Sequence, residues 1–273
     1  MIKLLIFGPS GFTSKLITSL ALQDEDIEVV AACDINRIGE ELGQLVGIID
    51  KNKVKIQDIK ELEKVIKEKK PDVAVDFTVA SATEVNSLIC VRNGVKCVIG
   101  TTALSSSFLD TFKEKLIEHE VPVVISSNMA AGMNVFLKLI SLLTKHLSDW
   151  DIEVIEAHHN RKQDSPSGTA LMIANKISDA LGTNPEETLK FGRSKGFNKR
   201  KIGAKNEIGV HSIRAGDIVG DHTVLFAGIG ERIELKHQAH SRNCFAEGAI
   251  RAIKFIAKAT EPRIYSTNDV LGL

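Results

Sequence analysis

The first 128 residues alternate short apolar runs with segments in which apolar residues recur every three or four positions. The apolar runs predict strands over residues 2–8, 27–34, 71–78, 95–102 and 121–128. The segments with helical spacing predict helices over residues 14–23, 59–70, 81–94 and 106–119. Because strands that are apolar on both faces and alternate with helices form covered parallel sheets, this part is predicted to be a doubly wound α/β domain.

After Asn128 the spacing of apolar positions changes, which indicates a second domain. The pattern predicts a helix, a strand and another helix over residues 132–147, 151–159 and 165–181. Three later strand-like runs are joined by glycine-containing turns and predict an antiparallel meander over residues 206–216, 217–228 and 231–241. We therefore expect an α+β domain built on an antiparallel or mixed sheet.

Two remaining segments complete the organisation. Residues 192–206 are polar, basic and contain glycine, which is typical of a mobile loop. Residues 244–260 form an amphipathic pattern, and we expect this last helix to return to the first domain. The predicted fold is thus a Rossmann-type parallel sheet followed by a second α+β domain.

Charge and cysteine content narrow the classes of partner. Lysine plus arginine and aspartate plus glutamate both number 35, so no net field attracts nucleic acid or an anionic membrane, and we expect a small-molecule partner. The four cysteines form no CxxC pair, which indicates reduced thiols. The apolar start is too short for a signal peptide, so we expect a soluble, cytoplasmic protein.

A glycine turn follows the first predicted strand. Gly8 and Gly11 stand where a Rossmann turn lays backbone N–H groups against a pyrophosphate, although Ser10 and Ser14 replace glycines of the usual GxGxxG pattern. An ordinary strand–helix turn therefore remains open on this motif alone. Asp34 ends the second strand and is placed to accept hydrogen bonds from ribose hydroxyls. Together these features favour NAD(H) or NADP(H) as cofactor.

The stretch IEAHHNRKQDSPSGTA at residues 155–170 concentrates donors and positive charge. A metal site is disfavoured, because His158 and His159 end a strand and point to opposite faces, with no further ligand at a usual spacing. A structural role, with histidines that cap the strand, stays open. The third interpretation is an anion-binding catalytic site, in which His159, Lys162 and the Ser-Gly-Thr turn before a helix hold carboxylates.

This stretch closely resembles the signature E-[AG]-H-H-x-x-K-x-D-x-P-S-G-T-A of the dihydrodipicolinate reductases, also called 4-hydroxy-tetrahydrodipicolinate reductases. The similarity extends over nearly the whole chain, through DFT, GTT, SSNMAAGMN, RAGDIVGDHTV and GERIELKHQAHSR in the family's order. It implies NAD(P)H-dependent reduction of 4-hydroxy-tetrahydrodipicolinate to tetrahydrodipicolinate with loss of water, in the diaminopimelate route to lysine. It also implies a homotetramer that contacts neither nucleic acid nor membrane.

The resemblance assigns roles to individual residues, and it implies no metal. His158 and Lys162 match the proton-transfer positions. The substrate-binding positions are His159, Lys162, Ser167, Gly168 and Thr169. The cofactor-binding positions are Gly8, Pro9, Ser10, Gly11, Phe12, Thr13, Asp34, Phe77, Thr78, Gly100, Thr101, Thr102, Ser126, Ser127, Asn128 and Met129. We expect residues 1–128 with 240–273 to bind the nucleotide, and residues 129–239 to bind substrate and form subunit contacts.

The sequence departs from the family pattern in the nucleotide region. The usual GTTG is GTTA here, with Ala103, and the glycine turn GPSGFTS lacks the family's arginine. Asp34 followed by Ile35 favours NADH, whereas Arg37 favours the 2′-phosphate of NADPH, so we expect use of both with NADH equal or better. A reductase of another small dicarboxylate and a non-catalytic sensor remain alternatives, and the complete His-His-Lys set argues against the sensor.

Overall fold

The computed structural model describes residues 1–200 and 207–273, and the chain folds as two compact units. Unit 1 comprises Met1–Ala131 and Asn243–Leu273, and unit 2 comprises Gly132–Arg242. The strands are β1 (Ile2–Phe7), β2 (Ile27–Asp34), β3 (Ile56–Asp58), β4 (Val73–Asp76), β5 (Lys96–Ile99), β6 (Val123–Ile125), β7 (Asp151–His158), β8 (Leu189–Phe191), β9 (Ile208–Arg214), β10 (Gly220–Ala227), β11 (Arg232–Ala239) and β12 (Ile264–Tyr265). The helices are α1 (Phe12–Gln23), α2 (Leu42–Val46), α3 (Leu62–Lys69), α4 (Ala80–Arg92), α5 (Ser106–Glu118), α6 (Ala131–His146), α7 (Gly168–Leu181), α8 (Pro185–Thr188), α9 (Asn243–Lys258) and α10 (Thr267–Leu271).

Unit 1 is a parallel sheet with helices on both faces. Its seven strands have the order β12-β6-β5-β4-β1-β2-β3, and every pairing is parallel. One core packs α1 and α9 against the sheet through residues such as Ile17 and Ile253, and the other packs α3, α4 and α5 through residues such as Val65 and Phe112. The predicted doubly wound α/β architecture is therefore confirmed. The C-terminal helix α9 lies in this unit.

Unit 2 contains a mixed five-stranded sheet in the order β11-β10-β7-β9-β8. The β10–β11 and β10–β7 pairs are antiparallel, whereas β7–β9 and β8–β9 are parallel. The predicted three-stranded meander is wrong for β9, because β7 lies between β9 and β10. Turn residues predict where the chain reverses, but the neighbour of a strand is set by the whole sheet, and a strand contributed from earlier in the chain occupies that place.

Side-chain alternation along β7 selects the residues that reach the interior of unit 2. Burial alternates strictly along this strand, so that the even-numbered residues Ile152, Val154, Glu156 and His158 are buried. Because side chains of a strand point alternately to its two faces, Glu156 and His158 share the buried face. Strand β7 thus delivers a carboxylate and an imidazole to one place.

The basic segment after β8 carries arginines that bind acidic residues of unit 2. Arg193 Nη2 lies 3.3 Å from Glu153 Oε1 and 2.5 Å from Glu207 Oε1, and Arg200 Nη1 lies 2.6 Å from Glu153 Oε1. The loop predicted over 192–206 falls partly outside the described residues, at 201–206, and its mobility stays a prediction. Within residues 1–200 and 207–273 no helix has the length and apolar character needed to cross a membrane.

Candidate active site

The predicted catalytic residues lie between the end of β7 and the start of α7. After His158 the chain turns, and the backbone N–H of Lys162 donates to the His159 carbonyl at 3.1 Å. Helix α7 begins at Gly168, and the Ser167 hydroxyl caps it by accepting a hydrogen bond from Ala170 N at 3.1 Å. The first turn of a helix presents N–H groups and the positive end of its dipole, which favour an anion. Thr169 lies in this first turn.

His158 contacts a buried carboxylate. Its Nδ1 lies 2.6 Å from Glu156 Oε2, and the Glu156 side chain is fully buried. Burial raises the pKa of Glu156, but hydrogen bonds from Arg214, His158, Ser212 and the Ser167 backbone outweigh it and lower the pKa to about 2. The carboxylate is therefore ionised at neutral pH and acts only as an acceptor, so the hydrogen between the two groups belongs to Nδ1 of His158.

A second buried histidine packs beside His158. The rings of His158 and His222 are 5.3 Å apart in an edge-to-face arrangement, and His222 Nε2 lies 3.4 Å from Ser167 Oγ. Burial, followed by the proximity of His158, lowers the pKa of His222 to about 4. His222 is therefore neutral at physiological pH. Sequence reasoning missed His222, Glu156 and Arg214, although the two-residue spacing of Glu156 and His158 in a strand was a signal for the carboxylate.

Lys162 and His159 lie on the turn that follows β7. Lys162 Nζ forms an ion pair with Asp164 Oδ1 at 2.7 Å, and this hydrogen bond is the main reason that the pKa of Asp164 is lowered. His159 is half-buried, and its Nδ1 has no hydrogen-bond partner within the described part of the chain. Buried polar atoms are normally paired in proteins. A ligand that accepts or donates at this atom would satisfy it.

The glycine turn of unit 1 lies against the end of β4. Gly8 has a φ of +57°, and a Cβ at this position would lie 2.6 Å from Thr78 Cγ2. Glycine is therefore required both for the backbone conformation and for the close approach. Gly11 is the N-cap of α1 and provides no side-chain cap, which leaves room for an anion at the helix N-terminus. These features fit the pyrophosphate of a dinucleotide.

Asp34 stabilises the same turn by hydrogen bonds. Its Oδ2 accepts hydrogen bonds from Ser10 N at 3.1 Å and Ser10 Oγ at 2.6 Å. Its Oδ1 accepts from Ile35 N at 2.7 Å and Asn36 N at 3.0 Å. A carboxylate has about four lone-pair positions, and the chain itself occupies all four. A ribose hydroxyl that binds Asp34 must therefore share a carboxylate oxygen with the Ser10 hydroxyl or displace that hydroxyl.

Further predicted cofactor residues gather around Asp76 at the carboxyl edge of the sheet. Asp76 Oδ1 accepts hydrogen bonds from Thr78 Oγ1 at 2.6 Å and from Thr83 Oγ1 at 3.0 Å, and the hydroxyl oxygens of Thr83 and Thr101 lie 2.8 Å apart. A Cβ at Gly100 would lie 2.1 Å from the Phe77 ring. The network fixes the ends of β4 and β5 relative to each other, where ligands of doubly wound sheets bind.

The remaining predicted cofactor positions are spread more widely over unit 1. Phe12 and Thr102 are exposed, Pro9 is buried and Thr13 is half-buried. In the segment after β6, Ser126 Oγ donates to Asn128 O at 2.9 Å, and Ser127 is exposed. The side chain of Met129 lies in the core of the unit and is 2% exposed. Sequence alone predicts these positions as a set, but the buried side chain of Met129 is not accessible to a ligand.

In the described part of the chain, no three His, Cys, Asp or Glu side chains converge as metal ligands. The adjacent histidines lie in different surroundings, because His158 binds Glu156 on the buried face while His159 lies on the turn.

Comparison with known proteins identifies related sequences over the full length of the chain. The family models described as dihydrodipicolinate reductase, N-terminus and C-terminus, match residues 2–129 and 132–271. The 4-hydroxy-tetrahydrodipicolinate reductases of Methanosarcina barkeri and Methanocaldococcus jannaschii are each 46% identical, with 100% of this chain covered and 100% and 98% of theirs. A solved dipicolinate-bound dihydrodipicolinate reductase from Paenisporosarcina sp. TG-14 superposes with a TM-score of 0.80 at 26% identity and covers 98% of each chain.

The Rossmann-type unit and the site after β7 define an oxidoreductase that uses NADH or NADPH. More narrowly, the chain belongs to the dihydrodipicolinate reductase family. The resemblance stated from the EAHH and SPSGTA motifs is confirmed.

Proposed function

We propose that the protein reduces 4-hydroxy-tetrahydrodipicolinate to tetrahydrodipicolinate, with loss of water, at the expense of NADH or NADPH. The proposal is carried by one observation: a carboxylate-bound histidine, a lysine and a helix N-terminus all lie within residues 156–169. The relatives named 4-hydroxy-tetrahydrodipicolinate reductase and the dipicolinate-bound neighbour support this substrate class. The reaction serves the diaminopimelate route to lysine.

His158 and Lys162 perform the proton transfer in this proposal. Loss of the 4-hydroxyl as water leaves a conjugated ring, and the nicotinamide, when bound, would supply a hydride to a carbon of that ring. Electron density then moves onto the ring, and a positioned acid must protonate it. His158 can deliver this proton from Nε2, since Nδ1 is engaged with Glu156. Lys162 places a second cationic donor on the adjoining turn.

The two substrate carboxylates bind the donors of the turn and of the first turn of α7. The proposed binding residues are His159, Lys162, Ser167, Gly168 and Thr169. The helix dipole and the lysine charge favour the dianion, and charge-assisted hydrogen bonds give it orientation. Gly168 meets no heavy atom within 4 Å of a Cβ built on it, so there is space at this point for a ligand.

Replacement of Thr169 by valine tests the substrate assignment. Thr169→Val removes one hydroxyl donor and keeps the shape, so KM for the dicarboxylate should rise by the equivalent of about 1–3 kcal/mol, the range for a hydrogen bond to a charged group. KM for the nicotinamide cofactor should not change. Thr183→Val provides a matched control, because Thr183 follows the other end of the same helix. Equal increases in both KM values would contradict a role in substrate binding.

We further propose that residues 1–128 with 240–273 bind the nucleotide, and that residues 129–239 bind the substrate. Both NADH and NADPH serve as cofactor, with NADH equal or better. The negative charge of Asp34 repels a 2′-phosphate, and the neighbouring Ile35 has no charge to attract one. The guanidinium of Arg37 lies 3.0 Å from Glu40, and this carboxylate competes with a phosphate for it. Arg193, in the basic segment after β8, is paired with Glu153 and Glu207.

A cytoplasmic homotetramer is the proposed assembly. The face of the unit 2 sheet opposite Val154 carries the apolar residues Ile155, Ile213 and Leu225, none of which is fully buried. An apolar sheet face with an uncovered edge is a common subunit contact. Sedimentation at micromolar concentration should give the mass of four chains. A monomer under these conditions would contradict the proposal.

A further inference from the structure

Glu156 is a fully buried carboxylate to which the preceding assignment gives no role. It lies on the buried face of β7, two residues before His158. An isolated charge in this environment is strongly unfavourable unless it is paired and hydrogen-bonded. The hydrogen-bond partners of Glu156 therefore indicate the role of this buried carboxylate.

Each oxygen of Glu156 accepts one hydrogen bond from Arg214 and one from the active-site segment, besides the hydrogen bond from Ser212. Arg214 binds in a bidentate manner, with Nη1 2.8 Å from Oε2 and Nη2 2.8 Å from Oε1. His158 Nδ1 lies 2.6 Å from Oε2, and Ser167 N donates to Oε1 at 3.1 Å. One carboxylate thus connects the proton donor at the end of β7 with the cap of α7.

Arg214 ties the same carboxylate to the intervening turn. Its Nη2 also donates at 2.6 Å to the backbone carbonyl of Asp164, the residue whose carboxylate pairs with Lys162. Arg214 lies opposite His158 in the parallel β7–β9 pair. The bidentate geometry of a guanidinium on a carboxylate fixes the orientation of both groups. Rotation of the carboxylate would break contacts on β7, β9 and α7 together.

Space for the imidazole is provided by Gly220 on β10. A Cβ at Gly220 would lie 3.1 Å from His158 Nε2, closer than side chains normally approach. With Nδ1 held by Glu156, the orientation of the ring and the position of Nε2 are fixed. This is the carboxylate–imidazole arrangement that sets the tautomer of a catalytic histidine in other enzymes.

We propose that Glu156, held by Arg214, is a positioning residue that fixes the Nδ1–H tautomer and the ring orientation of His158 and aligns it with the Ser167 turn. The inference rests on the proposed role of His158 as proton donor. It extends the machinery of the reaction to a residue that touches neither substrate nor cofactor.

The groups that face His158 set the expectation for loss of the Glu156 carboxylate. Glu156 Oε2 accepts from His158 Nδ1, and the Arg214 guanidinium on β9 binds the same oxygen. His222 on β10 is neutral because burial lowers its pKa to about 4, and Lys162 is paired with Asp164. An amide in place of the carboxylate can offer its NH2 group to Nδ1, so that the hydrogen is no longer fixed on Nδ1 and Nε2 is no longer fixed in orientation.

The decisive variant is Glu156→Gln, which keeps the size of the side chain and removes its charge. We expect kcat to fall by about tenfold or more, a smaller loss than the roughly hundredfold or greater effect of removing the acid itself, with the pH profile of kcat changed and KM for NADH unchanged. Glu153→Gln is the matched control: Glu153 is on the same strand, and its carboxylate also binds a histidine, His211, at 2.7 Å and an arginine, Arg200, at 2.6 Å. Its pH profile should remain that of the wild type.

A second variant allows the proposal to be tested if Glu156→Gln does not fold. Joint replacement, Glu156→Gln with Arg214→Met, removes both charges and avoids an unpaired buried guanidinium. A folded protein, as judged by circular dichroism, with reduced kcat supports the proposal. Wild-type kcat and pH profile in either folded variant would overturn it. If His158→Ala retains full activity, the proton-donor assignment itself fails. If His158→Ala loses activity while the Glu156 variants keep theirs, only the role of Glu156 is refuted.

Discussion

His158→Ala and Lys162→Ala should each lower kcat by about a hundredfold or more, the effect expected for loss of a positioned general acid. His158 offers Nε2 to the substrate because Nδ1 is bound to Glu156 at 2.6 Å. Lys162 supplies a charged donor on the next turn, where its present partner is Asp164. KM for NADH should remain near the wild-type value in both variants, since the proposed nucleotide residues lie in unit 1.

His119→Ala and Lys190→Ala are suitable controls for these variants. His119 follows α5 in unit 1, and Lys190 is an exposed residue on β8. Both remove the same chemical group at a place without a proposed role. Single-turnover kinetics would separate the chemical step from product release. Near wild-type turnover in both His158→Ala and Lys162→Ala would show that the protons come from elsewhere.

Asp34→Ala should raise KM for NADH on the order of a hundredfold. The substitution removes two hydrogen bonds from Ser10 to a charged group, each of about 1.5 kcal/mol or more, and frees the glycine turn that follows β1. It also removes the acceptor for the ribose hydroxyls. NADPH should suffer less, because the repulsion between the carboxylate and the 2′-phosphate disappears at the same time.

Initial-rate measurements with both cofactors at fixed, low ionic strength provide the comparison. Asp58→Ala is the matched control, because Asp58 is paired with Asp34 in the sheet register and caps the turn after β3. NADH affinity unchanged in Asp34→Ala would refute the assignment. A wild-type preference for NADPH that is lost in Arg37→Ala would instead identify Arg37 as the phosphate-binding residue.

The architecture of unit 1 follows closely from the sequence, because its longer strands are apolar on both faces and helices such as α3 and α9 carry an apolar stripe. The core residues of β1, Leu4, Leu5 and Ile6, are all inaccessible to solvent, as a central parallel strand requires. Short elements such as β3, β8 and β12 have only two or three residues, and their apolar pattern is too brief to distinguish from a loop.

The strands that pair with β7 could not be predicted from local sequence patterns. Arg214 and Glu156 are 58 residues apart in sequence and meet only because β7 pairs with β9 rather than β9 with β10. The motif around His158 and Lys162 was recognisable, since its residues are contiguous. The arginine and His222, which come from other strands of the same sheet, gave no signal of their partnership. Contiguous parts of a site are readable from sequence, and parts joined by sheet topology are not.

The most direct measurement follows nicotinamide absorbance while the preceding synthase generates fresh substrate. With wild-type protein, NADH and NADPH should both be oxidised in a substrate-dependent reaction, with NADH at least as efficient, and tetrahydrodipicolinate should accumulate. His158→Ala in the same assay should retain cofactor binding and lose most of the turnover. Absence of substrate-dependent oxidation with either cofactor, by a protein that still binds both ligands, would contradict the proposed reductase and favour a binding role for the site.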